Sequence, residues 1–336
     1  MMNPILVELT RGSMVESVHT GAVAIARANG ELVVSIGDLA RPVFPRSAIK
    51  AFQALPLIET GAADRYGFGN REIALACASH SGTTEHADLA ASMLARSGHD
   101  LSALGCGAQT PTYDDAAFEL RRAGQKPTAL NNNCSGKHAG MVAACAHCGD
   151  PVVDYWNPAH PHQRRIARVL EDFTQLPIDS APVGIDGCSA PNWAIPLAQT
   201  ARAFAAFMTG NGLSAKRAEA CRRITAACMA EPNLVAGPGR LDTRAMDALH
   251  GQIFMKTGAE GVYCGAFPSL GLGFALKIDD GNTRASQAVM ERLLQHVFGT
   301  KAAFGCLGPI RNWRGTETGT IRAGDKLSHE LKRLRV

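Results

Sequence analysis

The sequence predicts an α+β fold in which an antiparallel sheet, built from both ends of the chain, is flanked by helices. Three observations support this prediction. Apolar residues alternate like strands within residues 6–36 and again within 261–278. Residues from about 70 to 230 are rich in alanine and mostly helical in pattern. With 336 residues, 46% of them hydrophobic and 19% charged, the chain is long and apolar enough to bury a substantial core.

The N-terminal part begins with two strand-like segments, 6–10 and 15–19. Two further apolar runs, 21–25 and 31–36, are separated by Ala28-Asn29-Gly30, and Asn-Gly between apolar runs is a hairpin signal. Pro45 then precedes a helix-prone run, so the sequence places Ser47 in the first turn of a helix.

The remaining elements follow from cap and turn signals. Pro161 begins a helix, and Ser214 is the predicted N-cap of another. Strands are predicted at 261–267 and 272–278, followed by a helix from Ser286 to about Phe298. The predicted organisation is a single domain, 1–336, with a helical subregion at about 70–230.

Charge and hydropathy exclude several classes of function. The net charge is +4 without a long basic run, so nucleic acid is not an expected partner. No segment approaches 18 uninterrupted apolar residues, and the N-terminus lacks the pattern of a signal peptide. We therefore expect no membrane span and a cytoplasmic location, and we do not expect the ten cysteines to form a disulfide framework.

The segment Arg46-Ser47-Ala48-Ile49-Lys50 has the spacing of a catalytic pair. Residues three apart share a helix face, so the Lys50 amine can reach the Ser47 hydroxyl. A neutral lysine can take the proton of a serine and activate it as a nucleophile. A solvated pair on an ordinary helix has the same spacing, so both interpretations stay open at this point.

A second polar loop, Ala78-Ser79-His80-Ser81-Gly82-Thr83, follows an apolar run. Polar residues at the end of a buried run can form part of a site. The same residues can cap a helix, with Ser81 or Thr83 as the cap and Glu85 in the first turn. Both interpretations can hold together.

Two more loops concentrate reactive side chains. Asn131–Gly140 contains Cys134, Lys137 and His138, and Gly184–Asn192 contains Asp186 and Cys188. Thiolate and imidazole groups suit zinc, so a zinc site is predicted, although neither loop has a Cys-x-x-Cys spacing. The pair Cys145/Cys148 has that spacing but lies late in a helix, and we interpret it as structural.

A fifth motif, Lys256-Thr257-Gly258, precedes the late strands. Penicillin-recognising serine enzymes combine Ser-x-x-Lys with a later Lys-Thr-Gly. Their intervening Ser-Asp-Asn motif is absent from this sequence, which argues against a β-lactamase or transpeptidase activity.

Together these motifs resemble the asparaginase II family, the rhizobial-type or class 3 L-asparaginases, over about residues 5–325. The motifs are Arg46-Ser47-x-x-Lys50, Ser79-His80-Ser81-Gly82, Asn133-Cys134-Ser135-Gly136-Lys137-His138, Gly184-x-Asp186-Gly187-Cys188 and Lys256-x-Gly258-Ala259-Glu260-Gly261. The resemblance implies a fold like that of serine β-lactamases and a homodimer. It also implies an amidohydrolase that converts the small molecule L-asparagine to L-aspartate and ammonia.

The resemblance also implies roles for individual residues. Two catalytic pairs are implied, Ser47 with Lys50 and Ser79 with Lys256. The implied zinc ligands are Cys134, Lys137 and Cys188, with water. The expected substrate contacts are His138, Asp186, Arg46 and His80.

Two questions stay open from the sequence. The chemistry of the residues favours His138 as the third zinc ligand, whereas the resemblance favours Lys137. The substrate could also be glutamine, which is one methylene longer, and a non-catalytic zinc-binding protein on the same scaffold is a further alternative. In each enzymatic case we expect zinc to orient the substrate, because the serines already supply the nucleophile.

Overall fold

The structure, a computed structural model, describes residues 2–334. Met1, Arg335 and Val336 of the predicted domain lie outside the described residues. The chain forms two compact units. Unit one comprises Met1–Ala48, Ile195–Thr209 and Ala248–Val336, and unit two comprises Ile49–Ala194 and Gly210–Asp247. That the chain is one domain stays a prediction.

The strands are β1 (Ile5–Arg11), β2 (Met14–Arg27), β3 (Leu32–Ile36), β4 (Pro42–Val43), β5 (Val183–Ile185), β6 (Pro191–Trp193), β7 (Ile195–Pro196), β8 (Phe254–Gly258), β9 (Val262–Phe267), β10 (Leu272–Ile278), β11 (Gly308–Arg311) and β12 (Glu317–Ala323). The α-helices are α1 (Lys50–Glu59), α2 (Ala62–Arg65), α3 (Asn70–Ala76), α4 (Thr84–Arg96), α5 (Asp114–Arg122), α6 (Ser135–Cys148), α7 (Pro161–Thr174), α8 (Leu197–Thr209), α9 (Ala215–Ala230), α10 (Pro232–Val235), α11 (Leu241–Leu249), α12 (Thr283–Phe298) and α13 (Asp325–Leu331).

Unit one is built on an antiparallel sheet with the strand order β11-β12-β1-β2-β10-β9-β8, and β3 also pairs with β2. Its strands come from residues 5–36 and 254–323, so the predicted α+β fold with a sheet from both chain ends is confirmed. Helix α8 packs on β2, β9 and β10. A Cβ added to Gly273 would lie 2.1 Å from the carbonyl oxygen of Ala201, so β10 and α8 touch backbone to backbone there.

Local sequence signals located several elements. The hairpin at Asn29-Gly30 joins β2 to β3, α7 begins at Pro161, and the Ser214 side chain caps α9. Two predictions were wrong in detail. The segments 15–19 and 21–25 form one continuous strand, β2, and α12 starts three residues before Ser286 because the Asn282 side chain caps it.

Unit two is mainly helical, with α6 at its centre. Helix α6 is buried from Ser135 to Cys145 and packs against α1, α3 and α4. A Cβ added to Gly136 would lie 2.4 Å from both the carbonyl oxygen and the Cγ of Leu75. Only a glycine allows this approach, so the start of α6 lies directly against α3.

Within residues 2–334, no helix combines the length and the apolar character that crossing a bilayer requires.

We predict that Gly136→Ala destabilises the protein by about 1–3 kcal/mol, because the added methyl forces α6 away from the Leu75 carbonyl. Urea unfolding of the two proteins measures this difference. Gly187→Ala is the matched control, since an added Cβ there meets no atom within 4 Å. Equal stability losses in the two variants would contradict the packing argument.

Candidate active site and metal centre

The first residue of α1, Lys50, carries a buried amine, and its side chain is surrounded by acceptors. Its Nζ lies 2.5 Å from the carbonyl oxygen of Ala78, 2.8 Å from Oγ of Ser79 and 3.0 Å from Sγ of Cys134. The residue is 1% exposed. These three hydrogen bonds offset the cost of burying the Lys50 amine.

Ser79 is held in place by the segment that follows α3. Its backbone N–H donates to the carbonyl oxygen of Val235 at 2.9 Å, and its side chain is buried. The sequence did not predict the hydrogen bond between Lys50 and Ser79. The pairs Ser47 with Lys50 and Ser79 with Lys256 stay predictions.

Ser47 lies in unit one, in a 3₁₀ turn, Arg46–Ile49, that runs directly into α1. The turn is closed by the N–H of Ala48, which donates to the carbonyl oxygen of Pro45 at 3.1 Å. Arg46 has a φ of 53°, in the left-handed region that a non-glycine residue adopts at a cost. The half-buried Ser47 thus follows a strained residue.

The Lys256-Thr257-Gly258 motif lies within strand β8, whereas the sequence placed it before the strands. β8 ends the strand order of the sheet. The buried Lys256 Nζ donates to the carbonyl oxygen of Thr257 at 2.9 Å. A Cβ added to Gly258 would lie 2.6 Å from the carbonyl oxygen of Pro45, so β8 touches the backbone two residues before Ser47.

Two sulfurs and a second buried amine form a cluster in unit two. Lys137 Nζ donates to Sγ of Cys188 at 3.0 Å. The hydrogen bond from Cys134 lowers the pKa of Cys188 far below its ordinary value, and the charge of Lys137 adds to this against the effect of burial. The same hydrogen bond, together with burial, raises the pKa of Cys134. Of the two sulfurs, Cys188 is therefore the one that ionises first.

Lys137 remains cationic in this cluster. Burial lowers its pKa, but the sulfurs of Cys188 and Cys134 and the carboxylate of Asp186 outweigh burial, and the pKa lies above its ordinary value. The positive charge of Lys137 thus compensates the thiolate of Cys188. Without the ammonium, the thiolate would be an uncompensated buried charge.

The loop that delivers Cys188 is a tight turn. The N–H of Ser189 donates to the carbonyl oxygen of Asp186 at 2.8 Å, and Ser189 has a φ of 72°. The Asp186 side chain accepts from the N–H of Gly187 at 2.9 Å. The carboxylate therefore stabilises its own loop, and its predicted contact with substrate stays a prediction.

His80 is buried, and both of its ring nitrogens are in hydrogen bonds. Nδ1 accepts from the N–H of Gly82 at 3.1 Å, and Nε2 lies 2.9 Å from Oγ of Ser135. The ring stacks on that of His86 at 4.7 Å. His80 thus connects its loop to the start of α6.

The residues after His80 cap α4, as one of the two interpretations predicted. Thr83 is the N-cap and Glu85 lies in the first turn, as predicted, and the His86 ring nitrogen accepts from the N–H of Thr83 at 3.2 Å. Ser81 does not cap the helix, because its Oγ donates to the carbonyl oxygen of Ala236 at 2.9 Å.

His138 is fully buried and contacts a residue that sequence reasoning missed. Its Nδ1 lies 2.5 Å from the hydroxyl oxygen of Tyr155, which is also fully buried. Tyr155 belongs to no motif, and nothing in its local sequence marks it. Its proximity to His138 arises only from tertiary packing.

The side chains around Cys134 and Cys188 determine which metal ion could bind there. Among residues 2–334, no three His, Cys, Asp or Glu side chains group so as to hold a metal ion. The ligand set that the resemblance implies, Cys134, Lys137 and Cys188, includes an amine and stays a prediction, as does the alternative with His138. Two thiolates and a neutral amine are soft donors that fit zinc.

The comparison with protein families decides what kind of protein this is. The model of the family described as L-asparaginase II matches residues 7–323. The chain belongs to the L-asparaginase II family. A comparison with curated proteins gave no match. Family membership indicates an asparaginase-type hydrolase with a small-molecule substrate, and it agrees with the resemblance identified in the sequence.

We predict an acid sensitivity that originates at His162, in the first turn of α7. Burial lowers the pKa of His162 to about 3. Between pH 6.5 and 3 the unfolded chain therefore binds a proton that the folded protein does not, and stability falls as the pH is lowered. At pH 5 the loss from this residue is about 2 kcal/mol.

Urea unfolding at pH 7 and pH 5 tests this prediction. His162→Leu should lose less stability between the two pH values than the unsubstituted protein does, by about 2 kcal/mol. His329→Gln is the control, because the imidazole of His329 is exposed. An unchanged pH dependence in His162→Leu would show that another group causes the acid sensitivity.

Proposed function

We propose that this chain hydrolyses the side-chain amide of L-asparagine to L-aspartate and ammonia by Ser/Lys nucleophilic catalysis. The observation that carries the proposal is the 2.8 Å hydrogen bond between the buried Lys50 amine and the Ser79 hydroxyl, in a chain of the L-asparaginase II family. In the proposed reaction this contact lets Ser79 exchange protons with Lys50, the base that activates Ser47.

We also propose a fold like that of serine β-lactamases. Three features support it: the antiparallel sheet from both chain ends, Ser47-x-x-Lys50 at a helix start, and the Lys256 motif on β8. The homodimer is proposed from the family resemblance alone, and the cytoplasmic location is kept as the expectation drawn from the sequence.

In the proposed reaction, Lys50 in its neutral form accepts the proton of Ser47. The Ser47 oxygen attacks the amide carbon, the C–N bond breaks, and ammonia leaves with a proton returned by Lys50. Water then hydrolyses the acyl-enzyme ester and releases aspartate. Ser79, tuned by Lys256, relays protons to and from Lys50.

Binding groups complete the proposed site. Backbone N–H groups near Ser47 stabilise the oxyanion, a contribution of roughly 3 kcal/mol for each donor. We assign Arg46, His80, Asp186 and His138 to substrate contacts. The guanidinium of Arg46 suits the α-carboxylate and the carboxylate of Asp186 suits the α-ammonium group.

We propose zinc as the cofactor, held by Cys134, Lys137 and Cys188 with water. Bound zinc supplies a fixed positive charge that orients the α-amino and α-carboxylate groups of the substrate. The proximity of Lys137 Nζ to the Cys188 sulfur, at 3.0 Å, supports this ligand set. In that set, Lys137 and Cys134 each give up a proton.

The roles of the two serines predict different results for their substitution. Ser47→Ala and Ser79→Ala should each lower the rate of ammonia release by about 10³-fold or more. Only Ser79→Ala should still form an acyl-enzyme, detectable by mass spectrometry of the intact protein mixed rapidly with asparagine. An acyl-enzyme in Ser47→Ala but not in Ser79→Ala would identify Ser79 as the nucleophile.

Two controls accompany this measurement. Ser13→Ala changes an exposed serine in the β1–β2 turn and should leave the rate unchanged. Turnover of asparagine and of glutamine, measured side by side, separates the proposed activity from the glutaminase alternative. Zinc binding without release of ammonia from either substrate would favour the non-catalytic alternative.

The next prediction concerns the number of protons that the protein releases when it binds zinc. At pH 7 the metal-free cluster carries one thiolate and one ammonium, so the binding of one zinc ion should release about two protons, one from Cys134 and one from Lys137. Calorimetry in buffers with different ionisation enthalpies measures this number. Removal of zinc should raise KM more than it lowers kcat.

A matched pair of variants tests the ligands. Cys188→Ser should lose zinc binding, whereas Cys148→Ser should keep it, because Cys148 has the Cys-x-x-Cys spacing but lies at the far end of α6. Loss of zinc in Cys148→Ser alone would contradict the proposed site.

A further inference from the structure

A groove in unit two lies between α7 and the β5–β6 hairpin, and none of its described lining residues has a role in the proposed reaction. Its volume is about 490 Å³, within the range of small-molecule sites. Arg164, Arg168 and Glu171 line it from α7. Asp179, in the turn after α7, and Trp193 of β6 also line it. The groove therefore brings four charged side chains together with one aromatic ring.

The hairpin separates this groove from the candidate site. Gly184 pairs with Asn192 across the hairpin, and neighbouring residues of a strand point to opposite faces of it. Asn192 Nδ2 donates to Oδ2 of Asp186 at 3.4 Å, so this face is the one that carries the predicted substrate contact. Trp193 lies on the other face, so a ligand in the groove does not compete with a ligand at Asp186.

The charged side chains of the groove do not neutralise one another. Within residues 2–334, the side chains of Arg168, Glu171 and Asp179 take part in no hydrogen bond or ion pair. Arg164 Nε donates to the carbonyl oxygen of Ala159 at 3.1 Å, which holds its guanidinium beside the groove. All four charged residues are exposed, so a ligand can reach them without the desolvation cost of a buried ion pair.

The order of residues along α7 separates the two signs of charge. Arg164 and Arg168 are four residues apart and share one face of the helix. Glu171 follows Arg168 by three residues, about 4.5 Å along the helix axis. Asp179 adds a second carboxylate to the same groove. The α7 wall is therefore cationic towards the start of the helix and anionic towards its end.

Opposite charges in one groove fit a ligand that itself carries both. Guanidinium groups bind carboxylates through paired hydrogen bonds, and carboxylates accept from an ammonium group. Glu171 and Asp179 would repel a simple anion such as phosphate, and the two arginines would repel a simple cation. The buried ring of Trp193 offers an apolar surface to the carbon chain of the ligand.

We propose that this groove binds an acidic α-amino acid, with its carboxylates at Arg164 and Arg168 and its ammonium group at Glu171 and Asp179. L-Aspartate and L-glutamate share this chemistry. Aspartate is the product of the proposed reaction, so a groove that binds aspartate would be a second, product-sensing site. Only this product assignment rests on the proposed function, because the binding itself needs no turnover.

The first test follows the indole N–H of Trp193 by NMR in protein with ¹⁵N-labelled tryptophan. The chain has three tryptophans, and the signal of Trp193 is the one absent from Trp193→Phe. We expect a saturable shift of this signal with L-aspartate and with L-glutamate. Arg168→Gln should weaken the binding of both by about 10-fold or more, as loss of a hydrogen bond to a charged group does. Arg121→Gln, which changes an exposed arginine of α5 outside the groove, is the control and should bind as the unsubstituted protein does.

The second test concerns the anionic end of the groove. Succinate has two carboxylates and no ammonium group, so the unsubstituted protein should bind L-aspartate about 10-fold or more tightly than succinate. Glu171→Gln should weaken the binding of L-aspartate but not that of succinate, which reduces this ratio.

The outcomes decide the proposal in either direction. A Trp193 signal that neither amino acid shifts would overturn it, and so would equal affinities of Arg168→Gln and the unsubstituted protein. Equal binding of L-aspartate, succinate and phosphate would indicate a simple anion site and would also overturn it. Binding of L-glutamate without L-aspartate would support the ligand class and exclude product sensing. A protein that releases no ammonia from asparagine would overturn the proposed function, while the NMR titration would still decide what the groove binds.

Discussion

The buried amine of Lys50 is the contact on which the arrangement of the candidate site in unit two depends. A buried amine without partners costs several kcal/mol. Its three acceptors come from two segments, Ala78-Ser79 after α3 and Cys134 before α6. Neither segment can move away without leaving the amine unsatisfied. The Lys50 amine therefore positions both the Ala78-Ser79 segment and Cys134.

Two close backbone contacts, one within each unit, each explain a glycine in a motif. Gly136 lets α6 lie against the Leu75 carbonyl, and Gly258 lets β8 lie against the Pro45 carbonyl. In both places a methyl group would meet an oxygen atom at less than 3 Å. The reactive residues next to these glycines are thus positioned by backbone contacts, which vary less than contacts between long side chains.

The sequence predicted those parts of the molecule that depend on local physical chemistry. The hairpin at Asn29-Gly30 and the cap at Ser214 follow from turn and cap preferences, so they were located correctly. The contact between Lys50 and Ser79 joins residues 29 apart, and no periodicity or spacing predicts it. Tyr155 contacts His138 in the same way, through tertiary packing alone. Motifs therefore marked candidate residues, whereas the contacts between these residues are set by tertiary packing.

Opposite charges lie side by side in the buried cluster of Cys134, Lys137 and Cys188. Without metal, the ammonium of Lys137 compensates the thiolate of Cys188. With zinc bound as proposed, two thiolates would balance the two charges of the ion, and Lys137 would be neutral. The net charge of the buried cluster is then zero in both states, so neither state carries the desolvation cost of an uncompensated ion.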